Sequence, residues 1–208
     1  MHVRSLAVRS SYASLSSGLA VREVLAPGLF IAAILGTNYA LSALPNVKLF
    51  DLLVFVAGYT LGVRRGATVA VAAWLVYGQA NPWGYAEPTL LATLMGAEVG
   101  YAIAGAVVRR LVPASSVRLR PSAGWMAFAG AAAVSTVAYD VATNAYTGLL
   151  WAALAGADDH AAWVWVALFN PGALFFAAAH LTSNIVFFLA FGPPLVRVAD
   201  IARGRYRW

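Results

Sequence analysis

Apolar runs close to the length of a bilayer's hydrocarbon core, separated by short connections that carry the arginines, constrain this chain more than any motif in it. A helix needs ~20 residues to cross ~30 Å of hydrocarbon. Six runs are measured against that length: residues 24–44, 47–61, 66–77, 89–108, 125–150 and 171–191. The second and third are short, which predicts either extension into their flanks or a tight hairpin around Arg64 and Arg65. The sixth is the best bounded, because Asn170 suits an N-cap, Pro171 a first helical turn, and Gly192-Pro193-Pro194 a stop. Composition agrees, since 62% hydrophobic and 11% charged residues leave too little polar surface to cover a soluble globule. The expected fold is an all-α integral membrane protein with a bundle of six transmembrane helices.

A net charge of +6 would point to nucleic acid in a soluble protein, so the placement of the charges decides. In a six-span arrangement every arginine falls on one side, from Arg4 and Arg22 through Arg64, Arg65, Arg109, Arg110, Arg118 and Arg120 to Arg197 and Arg207, and Lys48 alone falls on the other. The positive-inside rule then makes the protein N-in/C-in, with Glu87, Asp158 and Asp159 on outer connections. This gives a basic cytoplasmic segment at residues 1–22, a six-helix transmembrane domain at 23–196 and a basic cytoplasmic tail at 197–208. Residues 1–22 also share the Ser- and Arg-containing, acid-free composition of a transit peptide, and the juxtamembrane reading is preferred. The expected location is the cell membrane, with the lipid bilayer as partner and no nucleic acid.

Ordinary catalytic signatures are missing. The only lysine, Lys48, is followed by Leu49, so no P-loop exists; HEXXH and GXSXG are absent, cysteine is absent, and histidines at 2, 160 and 180 have no metal-ligand spacing. The chain is expected to be no enzyme and to hold no cofactor and no metal.

What needs explaining is the polar content of the spans. An aspartate at the centre of a membrane helix costs roughly 2.5–3.5 kcal/mol on insertion scales. Counted from the outer ends of their runs, Glu98, Asp140 and His180 all lie about ten residues in, roughly 15 Å deep at 1.5 Å per residue. Thr136, Asp140, Thr143, Asn144 and Thr147 recur at helical spacing on the fifth run, and His180, Ser183 and Asn184 on the sixth. Either an Asp140–His180 contact ties the two helices together, or the same groups line a ligand pocket; a proton or cation path is a third reading. Glu98 is read as protonated, as paired with an outside helix, or as a ligand contact, and Asp51 as solvated or paired with Lys48. Of the outer aromatics Tyr77, Trp83, Tyr85, Tyr146, Trp151, Trp163 and Trp165, an interfacial belt accounts for most. Trp83, Tyr85 and Tyr146 also sit where a flat ligand needs apolar walls. Carboxylates without a buried Arg or Lys favour a cationic or neutral polar ligand.

Small residues recur every fourth position at Ala32, Gly36 and Ala40, at Gly58, Gly62 and Gly66, and at Gly96, Gly100 and Ala104. Such ridges allow close backbone approach within the bundle or against another protein.

The stretches LPNVKLFDLLVFVAGYTLGVRRGATVAVAAW, AYDVATNAYTG and HLTSNIVFFLAFGPPLVRV resemble the substrate-binding S component of energy-coupling factor (ECF) vitamin transporters. The resemblance covers roughly residues 24–197. It implies a membrane subunit that captures a vitamin or related micronutrient outside and delivers it through a transmembrane coupling subunit energised by two ATPase subunits. It also implies that the ridge Ala32, Gly36, Ala40 meets the coupling subunit, with glycine in place of the family's middle alanine. The binding site is then expected in the outer connections and the outer halves of the later helices. That assigns solute contacts to Asn46, Trp83, Tyr85, Glu98, Asp140, Asn144, Tyr146, His180 and Asn184. Two other classes remain open: an ion-coupled carrier using Glu98 and Asp140, and a small intramembrane enzyme with Asp140 and His180 as acid and base.

Overall fold

The computed structural model describes residues 21–206. Residues 1–20, most of the expected basic N-terminal segment, lie outside the described residues, as do Arg207 and Trp208. The described chain is helical: α1 (Ala26–Ala40), entered through a π-helical turn at Val21–Leu25, then α2 (Phe50–Leu61), α3 (Val63–Ala80), α4 (Pro88–Leu111), α5 (Ala123–Ala155), α6 (His160–Phe169), α7 (Pro171–Ala190) and α8 (Gly192–Tyr206). Among the described residues, four stretches are long and apolar enough to cross a membrane by length and composition: Glu23–Ala40, Pro88–Leu111, Ala123–Ala155 and Pro171–Ala190.

α2 is the centre of the bundle. It is apolar on all sides, which is the pattern of a helix with no solvent face, and every residue from Phe50 to Thr60 is buried. Its neighbours approach through glycine. A Cβ on Gly58 would lie 2.1 Å from the Ala102 carbonyl oxygen, one on Gly105 would lie 2.0 Å from that of Phe55, and one on Gly66 would lie 2.7 Å from the Gly58 Cα. The Gly58–Gly66 ridge therefore serves internal packing, and Gly62, at φ +90°, makes the turn from α2 into α3. Gly96 and Gly100 have nothing within 4 Å of a Cβ and belong to an open face.

Several expectations are met by local chemistry. Asn170 caps α7 by accepting from the Ala173 N–H at 2.9 Å, and Pro171 occupies the first turn. Ser122 caps α5, which ends at Gly156 in the left-handed conformation. The third run extends into its flanks as α3.

Others are corrected. The expected span 47–61 starts only at Phe50 and contains 12 helical residues, about 18 Å of rise against ~30 Å of hydrocarbon. The preceding connection, which carries Asn46 and Lys48, enters the bundle, and Asp51 sits level with His180. The connection after the fifth run is also largely helical. α5 continues to Ala155, and the 10-residue α6 folds back along it so closely that a Cβ added at Gly148 would lie 2.5 Å from the Val164 Cα. Past Gly192 the chain stays helical as α8, which packs on α2 and α7.

Candidate functional site

The start of α2, the second half of α3, the start of α4, the middle of α5 and the first half of α7 meet toward the bundle end remote from the described arginines. There they enclose a cavity of 410 Å³ lined by Asn46, Lys48, Trp74, Leu94, Tyr139, Asp140, Thr143, Asn144, Ala173, Phe176, Ala177 and His180. Helical periodicity builds the α7 wall: positions 173, 176, 177 and 180 fall on one face. Irregular backbone at this depth is tolerated where it lines a cavity or is buried in protein, and the connection holding Asn46 and Lys48 meets that condition. Asn46 takes the left-handed conformation at φ 54°, which asparagine tolerates, and donates from Nδ2 to the Phe176 carbonyl at 3.2 Å.

The floor is a chain of polar groups centred on His180. Its Nδ1 lies 2.8 Å from Asp140 Oδ1 and its Nε2 lies 2.7 Å from Asp51 Oδ2. Two hydrogen bonds from three such groups require two shared protons. Whether these make an imidazolium between two carboxylates, or a neutral imidazole beside one carboxylic acid, the triad carries a net charge of minus one. Behind it, Asn184 Nδ2 donates to Asp51 Oδ2 at 2.7 Å and to Thr136 Oγ1 at 2.8 Å, and the Tyr101 hydroxyl donates to Thr136 Oγ1 at 3.0 Å. Tyr139 stands edge-on to His180, with ring centroids 5.6 Å apart. A buried charge persists only when paired and hydrogen-bonded, and this network supplies Asp51, fully buried, with partners on one oxygen. Its other oxygen, Oδ1, has no hydrogen bond and faces Lys48 Nζ at 4.0 Å.

Lys48 changes the expected electrostatics. Its ammonium stands over the rings of Tyr139, Trp74 and Phe50 at 5.2, 5.4 and 5.9 Å. The side chain is 17% exposed, so a partly buried cation does stand at the site, and the inference from the absence of one is overturned. The reading of Asp51 as solvated is likewise wrong, while its pairing with Lys48 is present.

The expected solute contacts divide. Asn46, Asp140, Asn144 and His180 come together in the cavity wall. Asn184 lies one layer behind. Glu98 is fully buried behind Trp74, whose Nε1 donates to Oε2 at 3.2 Å; Oε1 has no partner. Trp83 and Tyr85, on the α3–α4 connection, are 72% and 76% exposed and are not cavity walls. Tyr146 donates instead to Glu87, which caps α4 by accepting from the Thr89 and Leu90 N–H groups. The Tyr146 hydroxyl and Thr89 hold the Glu87 carboxyl down at about 2.

Lys48, on an expected outer connection, and Tyr139 and Phe176, on the later helices, lie in regions expected to form the site without having been named as walls; Trp74 as a wall and Asp51 as a floor residue were missed. The available signal was Asp51 itself, an acid at the head of a wholly apolar stretch and three residues after the only lysine. No group of three or more His, Asp and Glu residues suited to a metal occurs among the described residues. No family model, curated protein or solved structure matches the chain.

Proposed function

We propose that this chain is the solute-capturing membrane subunit of an ATP-driven importer of the energy-coupling factor type. In this reading it is a six-span plasma-membrane protein with both termini cytoplasmic, it collects a vitamin or related micronutrient from outside, and it hands the solute on through a coupling subunit and two ATPase subunits. One observation carries the reading: a 410 Å³ cavity with a polar floor and aromatic walls, at the end of the bundle opposite the arginines and within the size range of small-molecule sites. Positive-inside placement of those arginines turns the cavity outward.

The free face of α1 supports the coupling half of the proposal. Ala32, Gly36 and Ala40 are exposed, and a Cβ on Gly36 would meet nothing within 4 Å. The bundle makes no use of this ridge, in contrast to Gly58 and Gly105. An importer must pass energy from its ATPases across such a helix interface, because this chain has no P-loop.

The ion-coupled carrier is the second reading, favoured by the unpartnered, fully buried Oε1 of Glu98. The intramembrane enzyme has less support: both ring nitrogens of His180 are engaged by carboxylates, leaving neither free to take a proton from a bound molecule.

The test is Gly36→Leu. It should leave solute binding by the purified protein nearly intact and abolish both uptake and co-purification with the coupling complex. Accumulation of solute against a gradient by the isolated protein in liposomes, with no ATPase present, would replace the importer by the ion-coupled carrier.

A further inference from the structure

The cavity's charges and its unused hydrogen-bonding groups restrict what it can hold; the restriction rests on the capture reading above. The Asp51–His180–Asp140 triad carries one negative charge in either proton arrangement, and Lys48 brings one positive charge to within 4.0 Å of Asp51. Glu98, behind Trp74, does not line the space. The walls are therefore balanced, and a ligand with a net charge would enter against its own desolvation without compensation. The unused groups lie on different walls. Among the described residues the Lys48 ammonium makes no hydrogen bond, only the long ion pair and its ring contacts. On α5, Asp140 spends one oxygen on His180, and the Asn144 amide forms no hydrogen bond among the described residues. Thr143 is already spent on the Tyr139 carbonyl at 3.0 Å. Flat apolar surface is supplied by Trp74, Tyr139 and Phe176.

We propose that the cavity binds a flat, uncharged nitrogen heterocycle with an acceptor edge and an amino edge. Lys48 donates to the ring nitrogen or carbonyl of one edge; Asp140 and Asn144 accept from the amino group of the other; the ring lies against Trp74 and Tyr139. On binding, the Lys48 ammonium adds a hydrogen bond to its ion pair with Asp51.

The test uses the full chain in lipid nanodiscs and equilibrium dialysis with five probes: pterin, whose 2-amino group lies on one edge and whose 4-oxo and N5 acceptors lie on another; lumazine, its dioxo analogue; nicotinate, an anion; 1-methylnicotinamide, a cation; and phenylalanine, a zwitterion. Pterin should bind tightest and lumazine at least about tenfold weaker, the scale of one lost hydrogen bond to a charged partner. Lys48→Met and Asn144→Ala should each weaken pterin about tenfold or more. Asn144→Ala, on an open wall, should do so without moving the melting temperature of the ligand-free protein, which keeps the test decisive if Lys48→Met folds poorly. Tighter binding of 1-methylnicotinamide after Lys48→Met would overturn the assignment in favour of an aromatic cation cage. Preference for nicotinate or phenylalanine, or wild-type pterin affinity in Asn144→Ala, would also overturn it. If no probe binds while ATPase-dependent uptake persists, this assignment fails and the capture reading stands. If pterin binds as described but the isolated protein accumulates it without ATPase, the importer reading fails and the assignment stands.

Discussion

The two ends of α2 solve the same electrostatic problem in opposite ways. At its C-terminal end the free carbonyls are closed off: Arg109 donates to the Tyr59 and Thr60 oxygens at 2.8 and 3.2 Å, Arg203 reaches Thr60 at 3.5 Å, and the Tyr59 hydroxyl donates to Val112 at 2.5 Å. Cations suit the negative end of a helix dipole, and glycine contacts against Ala102 and Phe55 hold the backbones together there. At its N-terminal end an acid, Asp51, sits at the positive end of the dipole, yet the neighbourhood is left open. Among the described residues one Asp51 oxygen has no hydrogen bond, Lys48 faces it only at 4.0 Å, and 410 Å³ stands between the helices. One end is closed by packing and the other borders the cavity, and a single 12-residue helix joins them.

The contrast breaks most visibly at the glycines. Gly58→Leu would force a side chain into the Ala102 backbone, and backbone cannot swing aside, so a loss of at least about 3 kcal/mol is expected. Gly100→Leu, on an open face, should change stability by less than about 0.5 kcal/mol. Thermal unfolding in detergent separates the two; equal effects would remove the distinction between packed and open ridges.

Next comes the floor. His180→Ala leaves Asp51 buried with its imidazole partner gone and should cost about 3–5 kcal/mol, the scale for breaking a buried pair. Adding Asp51→Asn to that variant should recover part of the loss, because the orphaned charge disappears. A double variant no more stable than His180→Ala would show that the triad does not act as a coupled unit.

Arg109→Met tests the closed end alone. Loss of two charge-assisted bonds to α2 carbonyls should cost about 1–3 kcal/mol while leaving binding in the cavity unchanged, which dialysis against the same ligand would check.

The smallest effect is at the rim. Glu87 is half-buried at the rim, and the Tyr146 hydroxyl and Thr89 hold its carboxyl at about 2, below the usual 4.5. A depressed acid stabilises the fold above its unfolded value, and that contribution fades as pH falls from 4.5 toward 2. Melting temperature should decline slightly over that window, and Glu87→Gln should flatten that part of the profile.

How much of this could be read beforehand varied with the physics involved. Helix ends set by local chemistry, such as Asn170-Pro171 and the long apolar stretches of α4, α5 and α7, were legible because caps and hydropathy act over a few residues. The Asp140–His180 contact was legible from matched depth on two helices. The depth of Asp51 was not, since depth counting assumes that a helix starts at the membrane surface, and α2 starts inside the bundle. The same assumption put Lys48 outside and hid Trp74 and Tyr139 as its neighbours. The helical α6 and the exposed positions of Trp83 and Tyr85 depend on tertiary packing that spacing along the chain does not encode.

The central claim is that the polar cavity opens outward while the arginine end faces the cytoplasm. Because the chain contains no cysteine, single cysteines give a clean readout. Asn144→Cys in the cavity wall should react with a membrane-impermeant maleimide in intact cells, and the captured solute should slow that reaction. Arg118→Cys, on the exposed connection between α4 and α5, should react only after permeabilisation. Labelling of Arg118→Cys in intact cells, with Asn144→Cys silent until the membrane is opened, would contradict the account.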